Sequence, residues 1–281
     1  MSVKIITDAI SDISSDVAQE YGIEVMPIEI KIDGKRMMAS DISVEEMVEW
    51  IEKNKKVPEF KGVSGDQYIE AFEQYVRRGD DIVCITAGSS AISNYDCACF
   101  ASTKFPEANI FVINTMRFSG NVGYLSVKAA RMARDGISAQ QIAATCEKSI
   151  DKLRQTALMD SMDFLKYAGA VPKIVAAGTN LFNAKFAFAM SKDDERDAEI
   201  VGYSMAKALK NFCSKVFKNL REIKPELIFL TYTLADEDYI SQVLDCVKKL
   251  AYFENVIVCK SSHFNTSFVG RNCMTVTYQM K

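Results

Sequence analysis

Short β-branched runs alternate with longer stretches of helical periodicity through the first half of the chain, which is the pattern of parallel βαβ units. Positions 3–7 predict a first strand, and positions 11–21 a helix closed by Gly22, a residue suited to the left-handed conformation after a helix end. A long strand-like stretch follows at 24–32, interrupted only by Pro27, and Asp33-Gly34 is a turn signal. Ser43-Val-Glu-Glu46 reads as a capping box, whose hydroxyl and carboxylate satisfy free N–H groups at the start of a helix running to Lys53. A second helix spans 64–78 and ends at Gly79, feeding the strand Asp81–Thr86. The small-residue turn Ala87-Gly-Ser-Ser90 leads into a helix through Thr103, then the strand Ile110–Asn114 and a helix over 121–135.

Gly136-Ile-Ser138 opens a further helix, expected to run to Gln155 and bridge to a second lobe. Parallel units are fewer beyond it: a helix over 163–169, a strand over 186–190, an acidic connection over 192–197 and a helix over 203–221. A strand over 226–232, a helix over 236–252 and strands at 255–260 and 273–278 complete the chain. Its 281 residues exceed the usual size of one compact domain. The expected fold is α/β in two lobes, an N-terminal parallel-sheet domain over 1–155 and a C-terminal mixed-sheet domain over 156–281.

Composition narrows the function. Apolar residues are 48% and charged residues 25%, enough for a sizeable core and unlike a disordered chain. The net charge of −3, with lysines and arginines scattered, gives nucleic acid no electrostatic footing. No apolar run approaches the ~18 residues of a membrane span, and the first residues lack the apolar stretch and cleavage site of a signal peptide. The expected location is therefore cytoplasmic. Of the eight cysteines, six sit in apolar runs, where free cysteine behaves as a small hydrophobe. Cys97-Ala-Cys99 is the one close pair, and with a single histidine there is no zinc-like spacing, so neither metal nor cofactor is expected.

In open α/β sheets, ligands bind beyond the carboxyl ends of the parallel strands. Those positions here are 8–12, 87–93 and 114–119, rich in hydroxyls and small residues: Asp8, Ser89, Ser90, Ser93 and Ser119. Such loops present N–H and O–H donors to an anionic head group, although any one of these residues is equally explained as a cap of the helix that follows. His263, in the polar stretch Ser-Ser-His-Phe-Asn-Thr-Ser after a strand, is the remaining candidate. No Gly-x-Gly-x-x-Gly, no phosphate loop ending in Gly-Lys-Ser/Thr and no Gly-x-Ser-x-Gly elbow is present. The generic sequence routes to an enzyme are absent.

Several segments resemble the DegV family of fatty-acid-binding proteins. Thr7-Asp-Ala-Ile-Ser-Asp12 is similar to the family's opening Thr-Asp-Ser-Thr-Ala-Asp, and Tyr21-Gly-Ile-Glu-Val-Met-Pro-Ile-Glu-Ile-Lys-Ile-Asp-Gly34 and Asp41-Ile-Ser-Val-Glu-Glu46 continue it. Ser89-Ser-Ala-Ile-Ser-Asn-Tyr95 resembles Ser-Ser-x-Leu-Ser-Gly-Thr-Tyr, one residue short. Ser119 with Gly123, and Leu165-Lys-Tyr-Ala-Gly169, resemble further family segments. The resemblance implies an acyl chain in an apolar tunnel between two lobes, its carboxylate held near their interface by Ser93 and His263, and a fatty acid kinase as partner. Where the family has Thr-Ser-Gln-Pro-Ser this chain has Phe60-Lys-Gly-Val-Ser64, so a threonine hydroxyl is lost and Lys61 becomes the candidate charge. Two arginines of the family fall at Ala170 and Tyr203, and its Gly-Pro-Gly after the histidine is missing, with Gly270 the nearest candidate. The expectation is a carrier of one long-chain fatty acid rather than an enzyme. Its alternatives are a dihydroxyacetone-type kinase subunit, in which a histidine holds the substrate, and a diverged scaffold without acyl ligand.

Overall fold

The computed structural model describes residues 2–88, 92–170, 183–190 and 196–281. They form two compact units, Met1–Ile42 with Pro58–Asp151, and Ser43–Val57 with Lys152–Lys281.

In the first unit four strands, β1 (Val3–Asp8), β2 (Ile23–Met26), β6 (Asp81–Thr86) and β7 (Ile110–Asn114), form one parallel sheet in the order β2-β1-β6-β7. Ile82, Val83, Cys84 and Ile85 are all fully buried, which explains why the strand reads as an unbroken apolar run rather than an alternating one. The helices pack on the sheet in two groups. One contains α1 (Ser15–Tyr21), α5 (Gly120–Arg134) and α6 (Ala139–Ile150), the other α3 (Gly65–Val76) and α4 (Asn94–Ser102). α5 buries ten of its fifteen residues because it lies across β1 and β6 at the middle of the sheet.

The strand expected over 24–32 is two strands. Pro27 has no N–H to give a ladder, so β2 ends at Met26, and β3 (Glu29–Ile32) joins a separate antiparallel sheet with β4 (Lys35–Met38) and β5 (Glu59–Lys61). The helix expected from Ser11 begins at Ser15. Ala9–Ser11 is a 3-10 turn capped by Asp8, and Asp12 leaves it in the left-handed conformation at φ 59°.

The second unit holds a six-stranded mixed sheet. Its members are β8 (Leu153–Met159), β9 (Lys185–Met190), β10 (Arg196–Gly202), β11 (Ile223–Thr233), β12 (Val256–Lys260) and β13 (Cys273–Met280), ordered β10-β9-β8-β13-β11-β12. Only β11 and β12 run parallel. Helices α8 (Met205–Val216) and α9 (Glu237–Lys249) cover one face; α7 (Asp163–Tyr167) and α10 (His263–Val269) contribute to the packing of the other. The helix expected to reach Gln155 stops at Ile150, and Leu153–Met159 is a strand near the centre of this sheet. Its Leu, Arg, Gln, Ala and Met are helix formers, and pairing with β13 and β9 overrides that preference. β10 occupies part of the expected acidic connection, whose positions 192–195 lie outside the described residues.

The chain returns to the second unit once before its main entry. α2 (Val44–Asn54), opened by the expected capping box, packs on α10, with ion pairs Lys260–Glu45 at 3.0 Å and Arg271–Glu52 at 2.8 Å. A contiguous division at 155/156 does not anticipate this excursion. Among the described residues no helix is long and apolar enough to cross a membrane. All eight cysteines are free; five are buried, and Cys97, Cys99 and Cys246 are half-buried. Burial pushes the Cys146 thiol up to about 12, which keeps it a packed thiol rather than a nucleophile.

Candidate functional site

At the carboxyl end of the parallel sheet, buried polar groups close a network around Asp8. Its strand β1 lies between β2, reached through α1, and β6, so the end of β1 beside β6 is where the winding of the sheet reverses. Asp8 is fully buried there. Its Oδ1 accepts from Ile10 N–H at 3.0 Å and its Oδ2 from Ala87 N–H at 2.9 Å, tying the ends of β1 and β6 together. Burial raises its carboxyl above the usual carboxylate range, and the backbone hydrogen bond from Ala87, the nearby Asn94 amide and the hydrogen bond from Ile10 pull it back. Thr7, Thr86 and Thr115 donate to Ile85 O, Ile113 O and Thr86 O, which satisfies the neighbouring hydroxyls.

Ser119 is the second centre. It precedes α5 at φ 56° and ψ −137°, a conformation that non-glycine residues rarely adopt. Two contacts hold it: its Oγ donates to Asp12 Oδ2 at 2.5 Å, and its N–H donates to Ile10 O at 3.0 Å. Asp8 and Ser119 thus bracket the 3-10 turn from both sides, and strain of this kind persists where surrounding structure over-determines it.

The other candidates are spread. Ser93 is exposed and stands at the start of α4 with no cap bond from its side chain. Lys61 lies in β5, its amine half-exposed and 3.5 Å from Glu29 Oε1, so its charge is already directed to a carboxylate of the adjoining strand. His263 is the first residue of α10, half-buried, in the second unit; Ser262 caps that helix by accepting from Asn265 N–H at 3.4 Å. A polar strand exit was expected there, and the capping serine converts it into a helix. Ser89 and Ser90 lie outside the described residues. Ala170 packs against the buried cluster around Met162 and Leu165, and Tyr203 is 61% exposed.

Sequence reasoning missed a further set of groups. Asn94 is fully buried, its Oδ1 accepting from Val63 N–H at 2.9 Å. Tyr68 Oη, Thr266 Oγ1 and Thr277 Oγ1 are buried without a hydrogen-bond partner. Thr277 belongs to a divided surface. Register places Thr231, Thr275, Thr277, Ala157, Met159, Phe186 and Phe188 on one face of the mixed sheet. Towards β9 that face is apolar; towards β11 it carries hydroxyls, with Thr231 and Thr275 2.6 Å apart. The opposite face carries the large apolar cluster beneath α8 and α9. A groove of about 640 Å³ between those two helices contains none of the head-group candidates. Among the described residues no group of histidine, cysteine and acidic side chains is placed to hold a metal ion.

A doubly wound parallel sheet with buried polar groups at its carboxyl edge, together with a mixed sheet of divided polarity, defines a two-unit α/β protein. The sequence profile of the DegV family, described as uncharacterised, matches residues 2–281, and the chain belongs to that family. A DegV domain-containing protein of Caldanaerobacter subterraneus subsp. tengcongensis is 32% identical over 184 residues, 65% of this chain and 65% of that one. The chain thus spans just under two thirds of the length of that relative. Among solved structures, a DegV family protein from Thermus thermophilus, described by its fatty acid binding, is 18% identical with a TM-score of 0.83 over 100% of both chains. The Streptococcus pneumoniae Fatty Acid Kinase (Fak) B3 protein, loaded with linoleic acid, is 16% identical with a TM-score of 0.81, again over 100% of both.

Proposed function

We propose that this protein binds one long-chain fatty acid and carries it without itself catalysing a reaction. The observation that supports the reading most is the whole-length match to the DegV family, joined to a fold shared end to end with proteins described as holding fatty acids. The physics is consistent with it. Burying ~15 methylenes at ~0.8 kcal/mol each gives roughly 12 kcal/mol of gross driving force, before the cost of ordering the ligand. A carboxylate taken from water needs hydrogen-bond donors, and we assign that role to Ser93 and His263. Lys61 is the weaker assignment, since Glu29 already engages it.

The proposed partner is a fatty acid kinase. The two arginines implied by the family resemblance are Ala170 and Tyr203 here, and neither offers a planar cationic fork to a phosphate. Coupling to such a kinase is therefore expected to be slow relative to family members that keep both.

Calorimetry on delipidated protein tests the binding reading. Palmitic acid is expected to bind at one site per chain, and its methyl ester, which has lost the anionic head group, at least tenfold more weakly. Equal affinities for the acid and the ester would remove the head-group part of the reading, and binding of neither would remove the whole.

A further inference from the structure

The Ser93 side chain is exposed and makes no cap bond to its own helix. The residue after it is the opposite. Asn94, first residue of α4, is fully buried, although asparagine is mostly found at the surface. Its Oδ1 accepts from Val63 N–H at 2.9 Å, in the link between β5 and α3. Its Nδ2 is buried and meets no acceptor at hydrogen-bond geometry, yet the amide is one of the groups that draw the Asp8 carboxyl down against the rise imposed by burial. Asp8 is in turn pinned by Ile10 and Ala87. The amide oxygen thus joins two segments, the β5–α3 link and the start of α4.

Gly62 supplies the room. A Cβ on Gly62 would overlap Asn94 Oδ1 and lie 2.8 Å from Ile92 Cγ1. Gly62 is not among the glycines with positive φ, so its backbone does not demand glycine; the demand is for space alone. Gly62 and Asn94 therefore form a matched pair.

We infer that Asn94 is the positioning residue for the Ser93 hydroxyl, anchored by Val63 in the space that Gly62 leaves; the inference rests on the reading of Ser93 as a carboxylate donor. Asn94 does not touch the ligand. It fixes the backbone from which Ser93 projects, so its effect on binding passes through that hydroxyl.

The test is a double-mutant cycle on the full chain, read by calorimetry with palmitic acid. Ser93→Ala and Asn94→Ala are each expected to weaken binding about tenfold, the usual scale for losing a hydrogen bond to a charged group. The double variant Ser93→Ala/Asn94→Ala should bind no more weakly than Ser93→Ala alone. Gly62→Ala, which displaces the amide without deleting it, should reproduce Asn94→Ala, and combining the two should add nothing. If Asn94→Ala does not fold, Asn94→Ser takes its place in the same cycle. The inference is overturned if Asn94→Ala and Gly62→Ala bind as the wild type does, or if the Ser93 and Asn94 losses add. Unchanged binding by Ser93→Ala would overturn both the inference and the assignment of Ser93, with fatty-acid binding left standing. Failure of the wild type to bind palmitic acid would overturn the fatty-acid reading itself.

Discussion

The two units bury polar side chains in different places: the first gathers them at the carboxyl edge of a parallel sheet, whereas the second sets them in the middle of one face of a mixed sheet. At the edge, Asp8, Thr7, Thr86, Thr115 and Ser119 are engaged by backbone groups or by each other, and strain at Ser119 is held by two contacts. On the mixed sheet, Thr231 and Thr275 share a bond, but Thr277 has no partner. The bonds at the sheet edge fix loop geometry, although Tyr68 Oη and Asn94 Nδ2 in the same unit are also buried without a partner. The unpartnered Thr277 hydroxyl shares its face of the sheet with the apolar Phe186, Phe188 and Met159.

The comparison can be broken most forcefully in the apolar core between the mixed sheet and helices α8 and α9. Phe212 is fully buried in the cluster of α8 and α9, so Phe212→Ala should cost about 3–5 kcal/mol in a urea melt, by lost burial and the cavity left behind. A loss below about 1 kcal/mol would mean that this face is not close-packed.

Next in size are the proposed head-group donors. His263→Ala should weaken fatty-acid binding by about 1–3 kcal/mol, since the ligand's carboxylate loses a donor. Wild-type affinity would place the head group elsewhere.

Asp8 sharpens the comparison through pH. Its carboxyl is raised in the fold, so the folded state holds a proton that the unfolded chain releases near the ordinary carboxylate value. Its contribution is most favourable below that value and declines as pH rises towards the raised folded one. Melts of wild type and Asp8→Asn as a function of pH should therefore show the wild type losing stability relative to the variant across that window. A relative gain would mean that the Ile10 and Ala87 hydrogen bonds outweigh burial.

The smallest effect is expected at Thr277. Because its hydroxyl has no partner, Thr277→Val should leave stability unchanged or raise it by up to about 1 kcal/mol. Loss of more than that would reveal a bond to the hydroxyl.

Legibility in the sequence followed the same division. Asp81–Thr86 and Ile110–Asn114 were readable to the residue: the first is buried on both faces and reads as an apolar run, and the second keeps a β-branched run although it lies at the edge of the sheet. β8 was not, because its residues are helix formers and the strand exists through partners about 30 and 120 positions away in the chain. At the candidate site, Asp8 as a cap was legible from its spacing to the next turn. Its bond to Ala87 N–H was not, since nothing local marks a contact 79 residues apart. Asn94 was invisible for the same reason: its partner Val63 and its close neighbour Gly62 are about 30 positions away, and only the fold brings them to it. Lys61 was legible as a charge, but not its engagement by Glu29, which depends on the pairing of β3 with β5.

The central claim is that one long acyl chain is held per protein chain. Native mass spectrometry of freshly purified protein addresses it directly. The account predicts a main species heavier than the bare chain by the mass of one C14 to C18 fatty acid, which collapses to the bare mass on denaturation with release of that acid. A bare mass before denaturation that stays bare after incubation with palmitic acid would contradict it.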